Sequence, residues 1–600
     1  MPLRALRISL DTDRAHSEDL PTTVEHHYLG GRGAATWLLA NRLPPDTGPL
    51  ARANLLIFSA GPLAGMPIPA TGGFVVSTRS PLTGAIAHSW APGRWGAALR
   101  RAGHDLLVLE GQHDEWCYLQ IDGGQVHIRP GGKLLGLDTR ATARALQAAL
   151  GDEYAVVCIG PAGEAGVAYS SIVADGEFMA EPAGTGAVMA AKRVKAIAVR
   201  GDARLTPADE KRVAAVIAGI TRRIAASEVA AAIRQFGSLF YATRAHEWGA
   251  LTGRNGQDGR IAHFSAIAPT KMAQRGRRAP RGCEGCPLPC SSSYIRRNGE
   301  PVAYPELEAL AGFGARCGIA SPDALILAND LCMRLGLDIA ATSAALAFMA
   351  ECQQHRLSSA GTLAWGDEDA LLAAIERLGQ RHEKRDVLSL GVGEMQEIFF
   401  GSTAFAPQVK GLAMPALDPR ALHAIALALA TAPIGGDYRY AMIYEELLPE
   451  PPAWLPDEPS HPQAIKGKAS RLIWHERFAA ALDAAGLCRR LALLAYQVTP
   501  AELTELLTAA LGRAFSGGEL ARLGERILTV ERLFARRYAI NGTLDGLPAR
   551  WREIPLRDGR AAGHLPALDD MLSEYYRRHG WNAQGAPTAE RLQELGIACH

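Results

Sequence analysis

The chain has 600 residues, more than one hydrophobic core usually supports, which predicts two to four domains. Its net charge of +1 gives no reason to expect a nucleic acid or an acidic membrane surface as a partner. Ten cysteines are too few for a disulfide scaffold, and no secretory signal or bilayer-spanning apolar run is evident, so the sequence predicts a cytoplasmic protein without a membrane segment.

The first two hundred residues predict strands. Runs of apolar and β-branched residues bounded by glycine, proline or aspartate recur at 54–61, 72–80, 104–111, 116–132, 154–163 and 194–201. The IDGGQVHI segment inside 116–132 predicts a hairpin. Residues 208–227 then show helical spacing with acids first and arginines late, and most of the remaining chain reads as helix.

These elements predict an α+β protein with an N-terminal β-rich domain followed by two mainly α-helical domains. The predicted domains are 1–206, 207–410 and 411–600, and the second boundary falls near the proline-bearing stretch 404–420. A faint internal repeat links the helical domains, because Arg334-Leu335-Gly336-Leu337-Asp338 and Ala484-Ala485-Gly486-Leu487-Cys488 both end an amphipathic stretch with Gly-Leu. Helix capping by glycine explains such a pattern equally well.

Three cysteines lie within eight positions in CEGCPLPC, as Cys283, Cys286 and Cys290. The short gaps allow all three thiolates to converge on one metal centre. Structural zinc and an iron–sulfur cluster both need four ligands, and this spacing leaves the two open. The distant fourth ligand is Cys317, Cys332 or Cys488.

Along nearly its whole length the sequence resembles the tungsten-dependent aldehyde:ferredoxin oxidoreductase family. The blocks that carry the likeness stand in the family's order, and include GGRGAATWLL (30–39), SAGPLAGMPIPATGGF (59–74), IGPAGEAGVAYSSI (159–172), GTGAVMAAKRVKAI (184–197), CEGCPLPC (283–290), YPELEALAGFG (304–314), LDAAGLC (482–488) and LGERILTVERLF (523–534).

The resemblance implies that the β-rich domain forms a floor for the cofactor and that the two helical domains cover it. Family members hold tungsten, sometimes molybdenum, between two pyranopterins whose phosphates share a Mg²⁺, beside a [4Fe–4S] cluster. It further implies oxidation of an aldehyde to a carboxylate, with electrons passed to ferredoxin or a dedicated iron–sulfur subunit, and a possible homodimer.

Carried over by motif, the resemblance makes four cysteines the cluster ligands: Cys283, Cys286, Cys290 and Cys488. Asp483 and Leu487 would hydrogen-bond one pterin, and the repeated segment Gly336, Leu337 and Asp338 would hold the other. Gly184 and Gly186, at the start of a predicted helix, would offer backbone N–H groups to a phosphate.

The chain departs from the family pattern at several of these positions. Met333 replaces an aspartate of the first pterin motif, and methionine is a poor hydrogen-bond acceptor. Residues 180–184 read Ala-Glu-Pro-Ala-Gly where relatives have AGRGG, so an arginine is lost at Pro182 and a carboxylate appears at Glu181. Gly73 replaces another arginine, and residues 89–93 read SWAPG in place of SNSGG. Three basic residues, Arg79, Arg94 and Lys192, are candidates to replace the lost charge.

The family places a glutamate near tungsten in a P-E-x-E segment, and Glu308 matches it. We expect it to carry the proton of the reaction. Tyr438 stands where relatives have histidine, and we expect it to donate a hydrogen bond to an oxygen atom there. The leading hypothesis is therefore a tungsten or molybdenum enzyme acting on an aldehyde or related small molecule. The alternative is a degenerate paralogue that keeps the cluster but lacks tungstopterin chemistry and serves as an electron-transfer or scaffolding subunit.

Overall fold

The computed structural model describes residues 2–598 except 282, 297, 298, 300, 359–362, 381–385, 457–460 and 540–544, and only the backbone of 280 and 281. The predicted architecture is confirmed, because a β-rich N-terminal region is followed by helical ones. Within the described residues, no helix is both long enough and apolar enough to cross a membrane.

The N-terminal region contains two six-stranded sheets. The first consists of β1 (Arg4–Ser9), β2 (Arg14–Asp19), β3 (Leu56–Ser59), β4 (Phe74–Arg79), β5 (Ile86–Ala91) and β6 (Leu106–Glu110). The second consists of β7 (Cys117–Asp122), β8 (Gln125–Pro130), β9 (Ala155–Ile159), β10 (Ile172–Ala174), β11 (Phe178–Ala180) and β12 (Val194–Arg200). The hairpin predicted within 116–132 is the antiparallel pair β7–β8.

The two sheets share one topology. Their strand orders are β2-β1-β6-β3-β4-β5 and β8-β7-β12-β9-β10-β11. In both sheets the first and last strands of the sequence run parallel while the other neighbours run antiparallel. Their facing sides form a common core that includes Phe58, Trp95 and Val157. The N-terminal region is therefore a structural duplication.

Six helices accompany these sheets: α1 (Thr22–Tyr28), α2 (Gly31–Arg42), α3 (Trp95–Arg101), α4 (Thr139–Leu150), α5 (Pro161–Glu164) and α6 (Thr185–Ala191). The middle of the chain adds a three-stranded sheet of β13 (Gly276–Arg281), β14 (Ser291–Arg296) and β15 (Pro301–Ala303). Its helices are α7 (Glu210–Ala226), α8 (Glu228–Phe236), α9 (Ala242–Trp248), α10 (Phe264–Ile267), α11 (Pro269–Ala273), α12 (Leu307–Ala309), α13 (Pro322–Leu335), α14 (Ile339–Gln354), α15 (Glu368–Leu378) and α16 (Val392–Ile398).

Among its described residues, the last third contains the short hairpin β16 (Gln408–Val409) and β17 (Leu412–Ala413) and seven α-helices. These are α17 (His423–Thr431), α18 (Lys468–Ala485), α19 (Pro500–Leu511), α20 (Gly517–Tyr538), α21 (Ala549–Glu553), α22 (Leu568–His579) and α23 (Ala589–Leu595). Helix α18 packs against α2, α17, α20 and α22, so it links the N-terminal region to the C-terminal helices.

Each of the two duplicated sheets contacts the C-terminal end of one helix. The strand β3 leads into Gly61-Pro62, against which α18 ends, and β9 leads into Gly160-Pro161, against which α13 ends. A Cβ atom on Gly61 would lie 2.1 Å from the backbone nitrogen of Gly486, and one on Gly160 would lie 2.2 Å from the carbonyl oxygen of Leu335. These two glycine corners therefore allow backbone contact between the floor and the helices.

Candidate redox site

The four cysteines assigned by the resemblance line one small pocket. Cys283, Cys286 and Cys290 come from the loop between β13 and β14, and Cys488 follows the end of α18. A turn closed by the Cys286 N–H to Cys283 carbonyl hydrogen bond (2.9 Å) shapes the loop. The backbone N–H of Cys488 donates to the carbonyl of Ala70 (2.9 Å), which fixes the fourth thiol against the floor.

Burial keeps these thiols protonated in the absence of metal. It raises the pKa of Cys283 and of Cys286 to about 12, and it raises the pKa of Cys290 and Cys488 as well. A metal centre would have to displace these protons, because thiolates are the ligands. The guanidinium of Arg490, which also lines the pocket, favours the thiolate of Cys290 and so assists that step.

A larger cavity of about 160 Å³ adjoins the cysteine pocket. The two share five lining residues, which are Pro92, Phe178, Cys290, Ser291 and Arg490. The larger cavity lies between the β-rich floor and both helical regions, since its lining includes Trp90, Met333 and Tyr444. A group bound in it would be in direct reach of whatever the cysteines hold.

Glu308 lines this cavity, and its side chain is buried. The Tyr438 hydroxyl donates a short hydrogen bond to Glu308 Oε1, and the N–H of Ala416 donates to Oε2 (3.3 Å). Burial and the Glu308 carboxylate raise the pKa of Tyr438 well above its usual value, so this hydroxyl keeps its proton. The sequence predicted that Tyr438 donates a hydrogen bond to a metal-bound or substrate oxygen. In the structure its hydroxyl donates to Glu308, and the predicted contact stays a prediction.

On one side of the cavity, Asp483 belongs to a buried ionic network. Arg32 Nη1 lies 3.3 Å from Asp483 Oδ2, and Arg32 Nη2 lies 2.8 Å from Glu531 Oε2. Arg489 Nε lies 3.0 Å from Asp483 Oδ1. Burial alone would raise the pKa of Glu531, but the charge of Arg32 and the hydrogen bonds from Arg32 and His88 lower it to about 2, so Glu531 is ionised. The network joins α2, α18 and α20.

On the other side, one guanidinium serves several carboxylates. Arg439 lies 3.0 Å from Glu181, 2.9 Å from Asp437 and 4.0 Å from Asp338. Burial raises the pKa of Glu181 to about 8, and the Asp338 carboxylate adds to the shift. Burial likewise raises the pKa of Asp338. Met333 adds an apolar surface to the same wall.

The remaining predicted residues do not line the cavity. Gly336 ends α13 in the left-handed conformation, and its carbonyl accepts from the N–H of Ser171 (2.8 Å). Asp338 caps α14 through Ala341 (2.8 Å). Leu337 and Leu487 are buried. Gly184 and Gly186 pack against 168–171, where a Cβ atom would meet backbone, so close packing explains both.

Sequence reasoning missed the residues that organise this site. Four charged residues of α20 bind partners from other segments of the chain: Glu525, Arg526, Glu531 and Arg532. Their acceptors or donors include Arg477, the Leu595 carbonyl, Arg32 and Asp545 respectively. The sequence did carry one signal for these contacts: charged residues occupy positions of α20 that the helical pattern assigns to the apolar, buried face. Arg32 and Arg439 were missed because they pair with residues hundreds of positions away, Glu531 and Glu181. Arg489 was missed because its partner Asp483 lies on the preceding helix α18.

The side chains around the two pockets can be compared with the ligands that an iron–sulfur cluster and two pterins need. Four thiols around one pocket match the ligand set of a [4Fe–4S] cluster. Among the described residues, no three His, Cys, Asp or Glu side chains meet as a single-ion site. The Asp483 side offers a pterin two buried atoms that have no hydrogen-bond partner, Asp483 Oδ1 and Arg489 Nε, whereas the Glu181 side offers Met333 and carboxylates already held by Arg439. The cluster therefore fits, and a pair of pterins fits on one side only.

Models of the aldehyde ferredoxin oxidoreductase family match the chain twice. The N-terminal domain model matches residues 5–201 and the model of domains 2 and 3 matches residues 215–597. The chain therefore belongs to the aldehyde ferredoxin oxidoreductase family and is an oxidoreductase of that type.

Named relatives extend this result. The chain is 33% identical to the tungsten-containing aldehyde ferredoxin oxidoreductase of Thermococcus kodakarensis, over 99% of this chain and 98% of that protein. It is 25% identical to the aliphatic sulfonate oxidoreductase, WOR-like subunit, of Pyrococcus furiosus, over 99% and 96%. A solved structure of the active site complex BamBC of benzoyl coenzyme A reductase shares the fold, with a TM-score of 0.85, 22% identity and coverage of 99% and 96%.

Proposed function

We propose that this protein oxidises a small molecule in the cavity beside Glu308 and passes the electrons through a [4Fe–4S] cluster held by Cys283, Cys286, Cys290 and Cys488. The observation that carries the proposal is that the four cysteines share a pocket that opens onto this cavity. A cluster converts a two-electron reaction into single-electron steps for an external carrier.

The substrate class that the family suggests is an aldehyde. Its oxidation to a carboxylate consumes one water and releases two electrons and three protons. Glu308 would accept a proton at Oε2 or Oε1, and the Tyr438 hydroxyl would hold the carboxyl group in one orientation. When bound, a tungsten or molybdenum bis-pyranopterin with Mg²⁺ at its phosphates would supply the two-electron acceptor.

A second candidate is favoured by the Glu181 side of the cavity. There Met333 replaces an acceptor and Arg439 is already engaged. A chain that keeps the cluster but lacks tungstopterin would serve as an electron-transfer or scaffolding subunit. Tungsten or molybdenum near one atom per chain supports the first candidate, and iron alone supports the second.

The electron carrier is proposed to be ferredoxin or a dedicated iron–sulfur subunit in a cytoplasmic, reducing compartment. The tip of the cysteine loop, Glu284-Gly285, is exposed and lines an open surface groove with Met66, Ile68 and Arg204. A carrier docked in this groove would lie next to Cys283 and Cys286. The reducing compartment is supported by a separate observation, because the nine described cysteines are all free thiols.

Replacing the distant cysteine tests the ligation. Cys488→Ala should lose most of the iron of the anaerobically purified protein, together with its visible absorbance and the electron paramagnetic resonance of the reduced state. Cys332→Ala is the matched control, because Cys332 is equally buried near the end of α13 but lies outside the cysteine pocket. Full iron content in Cys488→Ala, or zinc in place of iron in the unaltered protein, would refute the proposed cluster.

A further inference from the structure

Among its described lining residues, the cysteine pocket has one charged side chain, that of Arg490. The others are the four cysteines, Ser291 and the apolar residues Pro92, Phe178, Leu288 and Leu491. Apolar surroundings screen a charge weakly, so a fixed cation acts on its neighbours there more strongly than it would at the surface. Any group that the cysteines hold therefore experiences the positive charge of Arg490.

Arg490 lies between the cysteines and the large cavity. Its Nη1 atom lies 2.5 Å from Glu306 Oε1 and donates a hydrogen bond to Ser291 Oγ (3.3 Å). Arg490 and Ser291 line both pockets, whereas Glu306 lines the cavity and not the cysteine pocket. From the cysteine pocket to the cavity wall, the groups therefore follow in the order sulfur, guanidinium and carboxylate.

The Glu306 carboxylate offsets the charge of Arg490 only in part. It lies on the far side of the guanidinium from the cysteine pocket, and its side chain is 34% exposed, so solvent screens part of its charge. Glu306 stands at the start of α12, two positions before Glu308. The N–H of the next residue, Leu307, donates to Ser238 Oγ (3.0 Å), which fixes this helix start. The pair therefore leaves a net positive field at the cysteines.

Two other arginines near the cysteines differ from Arg490. Arg489 lines the cavity but not the cysteine pocket. At the tip of the cysteine loop, Arg101 pairs with Glu284 (2.8 Å), and both residues line the open surface groove. Solvent screens a pair in such a position. Arg101 therefore provides a matched comparison, because it is also paired with a glutamate beside the cysteine ligands but lies on the solvent side.

We infer that Arg490 raises the reduction potential of the cluster proposed for this pocket and that Glu306, from the cavity wall, moderates this effect. Reduction adds one electron, and so one negative charge, without making or breaking a bond, and a nearby cation stabilises the reduced form. The electron comes from the substrate in the proposed reaction and from dithionite in the experiment below. A higher potential favours electron flow from the cavity to the cysteines. The inference rests on the ligation proposed above.

Potentiometric titration with dithionite, followed by the electron paramagnetic resonance of the reduced cluster, tests this inference without any activity measurement. Arg490→Met should lower the equilibrium constant for reduction at least about tenfold, which is a fall of about 59 mV for a one-electron couple. Arg490→Lys keeps the charge and should retain most of the potential. Glu306→Gln should raise the potential, but by less than Arg490→Met lowers it.

Two further variants separate the charge from its structural role. Arg101→Met is the matched control and should shift the potential by less than a third of the Arg490→Met shift. Arg490→Met combined with Glu306→Gln removes the pair without leaving an unpaired charge, so it replaces Arg490→Met if the single variant loses its iron. Its potential should still lie below that of the unaltered protein, because Arg490 is the charge that lines the cysteine pocket.

Unchanged potentials in Arg490→Met and Glu306→Gln at full iron content would overturn the inference and leave the cluster in place. Shifts of the same sign in these two variants would also overturn it, because opposite charges must act in opposite directions. Iron content and visible absorbance of the unaltered protein report on the cluster itself. Failure of the proposed function, seen as a protein without a cluster, is therefore recognised separately and removes the inference with it.

Discussion

The two sides of the cavity are built alike but charged differently. On each side a helix ends in Gly-Leu against a Gly-Pro corner of one of two equivalent sheets. On the α18 side, Asp483 near the end of that helix pairs with Arg32 and Arg489, and Arg32 also pairs with Glu531. On the α13 side, Met333 of that helix lines the cavity, and Arg439 lies near three carboxyl groups, those of Glu181, Asp437 and Asp338. The two sides therefore share a backbone arrangement and differ in the charges of their side chains.

The largest difference between the sides should appear when each loses its central arginine. Arg32→Met leaves Asp483 and Glu531 buried with their guanidinium partner removed, and breaking such a pair costs about 3–5 kcal/mol. Arg439→Met should cost less, about 2–3 kcal/mol, because Arg439 is 17% exposed and Glu181 binds a proton readily, although the buried Asp437 also loses its partner. Urea unfolding at pH 7 measures both. Equal losses would mean that the two sides are energetically alike.

The two sides should also respond oppositely to pH. The folded-state pKa of Glu531 is about 2, below its ordinary 4.5, so Glu531 contributes stability above pH 4.5 that is lost as the pH falls toward 2, about 3 kcal/mol in all. The folded-state pKa of Glu181 is about 8, above 4.5, so the folded state binds the extra proton and stability falls as the pH rises from 4.5 to 8.

Comparison with neutral variants isolates each carboxyl group. The stability advantage of the unaltered protein over Glu531→Gln should shrink on acidification below pH 4.5. Glu181→Gln should remove a loss of about 1–2 kcal/mol between pH 4.5 and 8, a reduced figure because the side chain is 18% exposed to screening solvent. Parallel pH profiles for all three proteins would contradict the assigned pKa directions.

The smallest difference between the sides should appear at the two glycine corners, Gly61 and Gly160, where substitution should lower the free energy of unfolding by the same amount. Gly61→Ala and Gly160→Ala each place a Cβ atom against backbone, which should cost about 1–3 kcal/mol in both cases. Only Gly61→Ala should also lower iron content, because it displaces the segment that carries Cys488. Gly219→Ala, in an open position of α7, should be neutral or slightly stabilising. Iron loss in Gly160→Ala would show that the sides are mechanically coupled.

The sequence predicted the fold class and several elements because local signals are strong there. The helix predicted at 208–227 is α7, which Asp209 caps. Five N-terminal strands escaped prediction for physical reasons. β2, RAHSED, is an edge strand with mostly exposed polar residues, β10 and β11 have three residues each, and β1 and β5 interrupt their apolar pattern with polar side chains.

The duplication of the floor and the network around Arg32 were beyond sequence reasoning. The two sheets share topology with little shared sequence beyond their Gly-Pro corners, and ion pairs such as Arg32–Glu531 join residues about 500 positions apart. The faint Gly-Leu repeat was the visible trace of this arrangement. That the four cysteines share one pocket could be predicted because three of them lie within eight positions and the fourth lies in a family motif.

The distribution of the four cysteines along the chain has a consequence for how the protein is made. The fourth thiol leaves the ribosome about 200 residues after the other three, which at roughly 5–20 residues per second is a delay of roughly 10–40 s. During that interval the three exposed thiols can be oxidised by oxygen or can bind a competing metal ion. Under the proposed ligation, the four-cysteine site is complete only after Cys488 has emerged, so slow translation in air should yield more apoprotein than rapid translation under anaerobic growth.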